Sequence, residues 1–179
     1  MNKDYLFTSE RLGFRNWKIS DLEEMSVINA DVDVMKHFPQ TLTKEETAAF
    51  IDRQKAHYEK FGYNYFATEV LESGEFIGFI GFSALDFEAE FTPATDIGWR
   101  INKSAWGKGF ATEGAKRCLE FAFKELQLTR IVSIFTEMNQ KSEKVMQKIG
   151  MIKKGSFNHP KLKDFPKYEH CIWYELVKK

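Results

Sequence analysis

Two glycines, Gly107 and Gly109, stand where a short strand and a polar turn lead into an amphipathic helix. Glycine allows close approach of the backbone to a ligand because it lacks a Cβ atom. The first N–H groups of a helix have no intrahelical partner and lie at the positive end of its dipole. The segment therefore predicts a phosphate site, and a turn with only a strained backbone is the alternative. Its predicted residues are Gly107, Lys108, Gly109, Phe110, Ala111 and Thr112.

Two common phosphate-binding motifs do not fit this segment. A P-loop requires the pattern G-x-x-x-x-G-K-[ST], whereas Lys108 lies between the two glycines. A dinucleotide-binding turn requires a glycine or alanine three residues after the second glycine, and Thr112 occupies that position. A mononucleotide-binding domain therefore ranks below the interpretations that follow.

The segment resembles the acetyl-CoA loop of the GNAT acetyltransferases, whose pattern is Gln/Arg-x-x-Gly-x-Gly/Ala. Here the pattern reads S-A-W-G-K-G, and Ser104 departs from the usual Gln or Arg. The flanking W-G-K-G-F-A-T-E is similar to the branch that contains the ribosomal-protein N-terminal (Ser/Ala) acetyltransferases. The resemblance covers nearly the whole chain; it is strongest at 96–113 and 139–151 and weakest at 30–65.

The resemblance implies acetyl-CoA as cosubstrate and no metal ion. Trp99, Arg100 and Ile101 would offer backbone groups to the pantetheine amides, as an edge strand pairs with an added strand. An N–H group near residues 97–99 would stabilise the oxyanion of the tetrahedral intermediate. An ordinary strand explains the same side chains, so these backbone roles depend on the resemblance.

The turn from Asn139 to Ser142 corresponds to the Asn-x-x-Ser/Ala turn that faces the cofactor in this family. Many members carry a tyrosine seven residues after the asparagine as general acid, but Met146 stands there and cannot donate a proton. Ser142 is the best substitute, although a serine in the first turn of a helix is equally consistent. Asn139 is also a good helix N-cap. Lys144 either reaches the cofactor phosphates or is a solvated helix lysine.

Three residues are candidates for the general base, in a definite order of preference. Asp96 comes first because it lies on the fourth predicted strand, where bases of the family often lie. Glu137 is second and would act through a water molecule. His159, in a late loop, is third and has a suitable intrinsic pKa.

Composition predicts a single domain over residues 1–179, with 43% hydrophobic residues and enough aromatic side chains for one core. No apolar run approaches the roughly 18 residues of a membrane span, and the first residues lack the apolar region of a signal peptide. Cys118 and Cys171 are isolated, which predicts free thiols, no metal site and a cytoplasmic location.

Charge is unevenly distributed although the net charge is zero. Residues 61–99 have a net charge of −7, and residues 100–179 have a net charge of +9. The basic part contains the proposed phosphate site, and the acidic part would favour a cationic amine if its residues face the substrate. The alternative is that blocks of sequence do not form surface patches. Nucleic-acid binding is not expected because the basic residues do not match a known module.

The order of predicted elements indicates a mixed α+β fold. Strands at 11–17, 65–70, 76–83 and 95–101 precede a helix from about 111, and a strand at 130–135, a helix at 140–149 and a strand at 170–177 follow. Helices also begin near Ser20 and at Thr43, which opens a capping box. This order predicts a mostly antiparallel sheet with helices on its faces. The GNAT fold adds that the fourth and fifth strands splay apart around acetyl-CoA.

The sequence thus predicts an acetyl-CoA-dependent N-acetyltransferase that works by direct transfer in a ternary complex. The expected acceptor is a primary amine, either a protein N-terminus or a small molecule such as an amino acid, polyamine or aminoglycoside. A monomer or homodimer without membrane association is expected. The second interpretation is a non-catalytic acyl-CoA-binding or regulatory module, which the departures at Ser104 and Met146 favour.

Overall fold

The structure, a computed structural model, describes residues 5–178. Its strands are β1 (Phe7–Thr8), β2 (Leu12–Arg15), β3 (Tyr65–Val70), β4 (Phe76–Leu85), β5 (Ala94–Ile101), β6 (Arg130–Thr136), β7 (Ile152–Asn158) and β8 (His170–Val177). Its α-helices are α1 (Asp21–Ala30), α2 (Lys44–Phe61), α3 (Phe110–Lys124), α4 (Gln140–Lys148) and α5 (Pro166–Glu169). Short 3-10 helices cover Lys103–Ala105 and Pro160–Leu162. None of these helices is both long and apolar enough to cross a membrane.

The strands form one sheet in the order β1-β2-β3-β4-β5-β6-β8-β7, and every neighbouring pair except β5 and β6 is antiparallel. Strands β5 and β6 are parallel and pair only at Asp96 and Val132. These are the predicted fourth and fifth strands, because the short β1 advances the count by one. The mixed, mostly antiparallel fold and the splay between these strands are therefore confirmed.

The two faces of the sheet carry different helices. Helices α1 and α2 pack with Met25, Ile28 and Ile51 against sheet residues that include Phe79. Helices α3 and α4 cover the opposite face in a larger cluster with Ile80, since neighbouring strand residues point to opposite faces. The splayed edges of β5 and β6 therefore open between two helical layers.

Local signals in the sequence explain where the first two helices begin. The predicted capping box of α2 is present: the Thr43 hydroxyl accepts from Glu46 N at 3.2 Å, and Glu46 Oε2 accepts from Thr43 N at 2.8 Å. Ser20 precedes α1 but makes no side-chain capping bond. Instead the carboxylate of Asp21 accepts from Lys18 N at 2.8 Å.

A buried ion-pair cluster joins β2, α1 and β3. The guanidinium of Arg15 lies 2.8 Å from Asp21 Oδ2 and 2.6 Å from Glu69 Oε1. All three residues are buried. Removing one member of such a cluster leaves buried charge uncompensated, which is strongly destabilising.

The late region contains more regular structure than the sequence predicted. Strand β7 lies between the predicted helix at 140–149 and the predicted strand at 170–177, where no strand was predicted. It pairs with β8 from Asn158 opposite His170 to Ile152 opposite Glu175. It is an edge strand whose side chains are mostly exposed. Its sequence lacks a clear alternation of apolar residues because neither face of the strand is fully covered.

Candidate active site

A cleft of about 1100 Å³ opens where β5 and β6 diverge. One wall consists of β5 and the turn that leads into α3, and another consists of the end of β6 and the start of α4. The loop after α1, at residues 33–39, closes the cleft on the side of α1 and α2. The cleft therefore reaches both helical layers through the sheet, as a site for two substrates requires.

The turn before α3 has the backbone geometry that a phosphate site needs. Gly107 and Gly109 have φ values of 76° and 84°, in the left-handed region that favours glycine. Gly109 is the N-cap of α3, and within the described residues no side chain makes a capping hydrogen bond at this helix start. Five of the six predicted residues of this turn line the cleft; Lys108 is exposed and does not.

The edge of β5 offers one backbone position to a ligand. The Ile97 carbonyl accepts from the Ser133 hydroxyl at 2.7 Å, so the polar groups of Ile97 point towards β6. Backbone polar groups alternate in direction along a strand. Those of Trp99 therefore also point into the gap, whereas those of Arg100 point towards β4, where Phe79 lies opposite. The carbonyl of Ile101 accepts from Trp106 Nε1 at 2.9 Å. The geometry favours Trp99 over its two neighbours for the predicted backbone role.

Asp96 lies at the point where β5 and β6 part. Its side chain is buried and lines the cleft, and burial raises its pKa to about 7. The Tyr65 hydroxyl donates to Asp96 Oδ2 at 2.7 Å. Since an ideal general base has a pKa near the working pH, the pair suits proton transfer at neutral pH.

Tyr65 was not among the residues predicted from the sequence. Its ring lies over Gly98: a Cβ atom at that glycine would stand 3.1 Å from Tyr65 Cε1 and 3.4 Å from Asp96 Oδ2. Tyr65, Gly81 and Gly98 are in register across β3, β4 and β5. A tyrosine opposite two glycines on neighbouring strands is a signal that the sequence contains, but only the strand register reveals it.

The start of α4 faces the cleft from the opposite wall. Asn139 Oδ1 accepts from Ser142 N at 3.2 Å, so Asn139 does cap the helix, and it also lines the cleft. Ser142 and Lys144 line the cleft as well, and the Ser142 hydroxyl has no hydrogen-bond partner within residues 5–178. Met146 is buried at the base of this wall.

The two other candidate bases occupy different surroundings. Glu137 does not line the cleft; its side chain is 64% exposed and lies 3.9 Å from His170 Nε2. His159 lines the cleft, where burial lowers its pKa and its Nδ1 accepts from Lys161 N at 3.2 Å. The structure thus brings Asp96, Ser142 and the glycine turn to one cleft and leaves Glu137 outside it.

The acidic block of the sequence does not form an acidic cleft. Of the seven acidic residues at 61–99, only Asp96 lines it. Glu69 belongs to the buried cluster around Arg15, and Asp86 lies 3.7 Å from Lys161. The alternative in which sequence charge does not become a surface patch therefore describes this region.

Comparison with known proteins identifies the family. The family model of the acetyltransferase (GNAT) domain matches residues 11–152. The chain is 34% identical over 152 residues to the uncharacterised N-acetyltransferase YnaD of Bacillus subtilis (strain 168), covering 84% of each protein. This protein therefore belongs to the GNAT acetyltransferases, and the predicted enzyme class, N-acetyltransferase, is confirmed.

Solved structures agree with this assignment. A GNAT-family acetyltransferase of Bacillus anthracis superposes with a TM-score of 0.79 at 28% identity, covering 95% of this chain and 96% of that one. RimL, a ribosomal L7/L12 alpha-N-protein acetyltransferase solved with coenzyme A, gives 0.77 at 16% identity, covering 97% of this chain and 98% of that one. The second similarity shows a common fold.

Proposed function

We propose that this N-acetyltransferase transfers an acetyl group directly from acetyl-CoA to a primary amine. The observation that carries the proposal is the meeting of three features in one cleft: the glycine turn before α3, the unpaired edge of β5 and the buried Asp96. The turn suits the pyrophosphate because its first helical N–H groups have no side-chain cap. Pantetheine would then follow the gap beside Trp99 towards Asp96.

Each residue of the site has a defined part in this reaction. Asp96, held by Tyr65, takes a proton from the attacking amine, directly or through a water molecule. An N–H group at residues 97–99 stabilises the oxyanion formed when the amine nitrogen bonds to the thioester carbon. Ser142 donates its proton to the CoA sulfur as the carbon–sulfur bond breaks and then takes a proton from solvent water. The products are the N-acetylated amine and CoA.

A panel of amines tests the proposal by measuring CoA thiol release. Protein N-terminal peptides, amino acids, polyamines and aminoglycosides represent the acceptor classes. We expect acetyl-CoA-dependent release with at least one class and the acetylated amine as product by mass spectrometry. Calorimetry with acetyl-CoA is run in parallel. Binding without turnover on any amine would instead favour the acyl-CoA-binding or regulatory module.

The same proposal includes the domain organisation, location, metal requirement and oligomeric state of the protein. Core residues drawn from Phe7 to Tyr174 join one large cluster, which supports one domain over residues 1–179. The thiols of Cys118 and Cys171 are free, in keeping with a cytoplasmic enzyme. A reaction of this type needs no metal ion, and we propose a monomer or homodimer as the working form.

A further inference from the structure

The side chain of Arg100 lies on the cleft wall near α1 and α2, on the same strand face as Asp96. It is held from several sides: its Nη1 donates to Asn29 Oδ1 at 2.6 Å, and its guanidinium lies 4.4 Å from the ring centre of Phe38. Phe79 lies beneath it at 5.4 Å. Asn29 is fully buried and is itself oriented by Thr47, whose hydroxyl accepts from Asn29 Nδ2 at 3.0 Å. The guanidinium is therefore preorganised before any ligand binds.

This arginine has no counter-ion in the part of the chain that the structure describes. None of the ion pairs among residues 5–178 includes Arg100, and its buried Nε has no hydrogen-bond acceptor. Among residues 5–178, its side-chain hydrogen bond goes to the neutral amide of Asn29. Burial lowers its pKa to about 10. Arg15, by contrast, is buried with two carboxylate partners.

The surroundings of Arg100 within the cleft are also poor in negative charge. We call Lys36, His37, Phe38 and Arg100 the acceptor end of the cleft, and all four line it. The buried Nδ1 of His37 has no hydrogen-bond partner among the described residues. Besides Asp96, the cleft contains one carboxylate, Asp33, and that carboxylate is paired with Lys103.

We propose that the acceptor amine carries a carboxylate, and that the guanidinium of Arg100 binds this carboxylate at the acceptor end of the cleft. The proposal rests on the proposed acetyl transfer, for which Asp96 lies at the amine. Asp96 and Arg100 are four residues apart on β5, which separates their Cα atoms by roughly 13 Å along the strand. Between them stands Gly98, and the ring of Tyr65 lies over this glycine. The acceptor is thus an aminocarboxylate with its two charged groups at different points along β5.

Matched acceptor pairs test this assignment. The panel contains glycine, β-alanine, 4-aminobutyrate and 6-aminohexanoate, each beside its carboxamide, with a diamine as the cationic comparison. We expect the wild-type enzyme to prefer at least one carboxylate over its carboxamide by tenfold or more in kcat/KM. Arg100→Gln retains a donor for Asn29 but loses the charge. The ratio of kcat/KM for the carboxylate to that for its carboxamide should therefore fall to about one, through a higher KM for the carboxylate. Arg100→Lys should keep part of the preference.

Two controls separate this proposal from the proposed reaction. Arg53→Gln removes an exposed arginine of α2 that does not line the cleft, and it should leave the acceptor ratio unchanged. Calorimetry with CoA and the N-acetylated aminocarboxylates measures carboxylate binding without turnover. Tighter binding of these products than of their carboxamides, in wild type but not in Arg100→Gln, supports the site even if no amine is acetylated.

Several results would overturn the proposal. Equal or better use of carboxamides or the diamine by the wild-type enzyme would reject a carboxylate site while leaving the acetyl transfer intact. An unchanged ratio in Arg100→Gln would show that another group selects the acceptor. If Arg100→Gln instead loses acetyl-CoA affinity and retains the carboxylate preference, Arg100 belongs to the cofactor site. If Arg100→Gln does not fold, the wild-type preference and the response of Arg100→Lys decide the question.

Discussion

The substitution Asp96→Asn tests whether a buried carboxylate takes the proton from the amine. The pKa of Asp96 is raised to about 7 by burial, so the carboxylate is protonated and inactive as a base at lower pH. Wild-type kcat/KM should therefore fall about tenfold for each pH unit below this value. Asparagine cannot accept the proton. The pH profile of the variant should therefore lack this acidic limb, and its kcat/KM at pH 8 should be lower by about 100-fold or more.

The hydrogen bond from Tyr65 allows the position of that limb to be moved. The Tyr65 hydroxyl stabilises the charged form of Asp96. A hydrogen bond to a charged group contributes about 1.5–3 kcal/mol, and about 1.4 kcal/mol corresponds to one pH unit. Tyr65→Phe should therefore raise the pKa of Asp96 and shift the acidic limb upward by about one to two pH units.

The same pKa has a consequence for stability. In the folded protein the pKa of Asp96 is raised from 3.8 to about 7, so the native state holds this proton more tightly than the unfolded chain. The contribution of Asp96 to the free energy of unfolding is thus greatest below about pH 4, decreases up to about pH 7 and is constant above. Asp96→Asn should remove this decrease, as urea denaturation at pH 5 and pH 8 would show.

The decisive assay is the pH profile of kcat/KM for wild type, Asp96→Asn and Tyr65→Phe with one acceptor. Asp52→Asn, an exposed change on α2, serves as control and should retain the wild-type profile. Ionisation of the amine itself produces a limb that all variants share. If Asp96→Asn retains the wild-type limb near pH 7, Asp96 is not the base and the reasoning is wrong.

Three further predictions concern the cofactor turn, the leaving group and the buried ion pairs. Gly109→Val should weaken acetyl-CoA binding at least tenfold by calorimetry, about 1.4 kcal/mol. Gly62→Val, at a similar φ of 75° but at a residue that does not line the cleft, should not weaken it. Equal affinities of Gly109→Val and wild type would remove the phosphate site. If Ser142 is the general acid, Ser142→Ala should lower kcat about 100-fold with little change in acetyl-CoA affinity. A kcat close to that of wild type would show that Ser142 is only a residue of the first turn of α4. Arg15→Met should lower the free energy of unfolding by about 3–5 kcal/mol, measured by denaturant titration; a loss below 1 kcal/mol would contradict the ion-pair account.

Much of the fold could be predicted from the sequence because its signals are local. The capping box at Thr43 and the strand Tyr65–Val70 depend on residues close together in the chain. The glycine pair before α3 is equally local, and its positive φ values agree with the predicted turn. Strand β7 was missed because an edge strand with exposed faces lacks a clear apolar pattern and depends on pairing with β8.

The residue types available to the site were determined by the sequence, whereas the tertiary structure decided which of them meet. Asp96 and Glu137 were both acceptable bases by type, but only Asp96 lies in the cleft and under a tyrosine. Arg100 was predicted to contribute its backbone, yet its side chain faces the acceptor end without a counter-ion. The reason is physical: pKa values and charge pairing depend on burial and on neighbours brought together by strand register, and no local pattern encodes those distances.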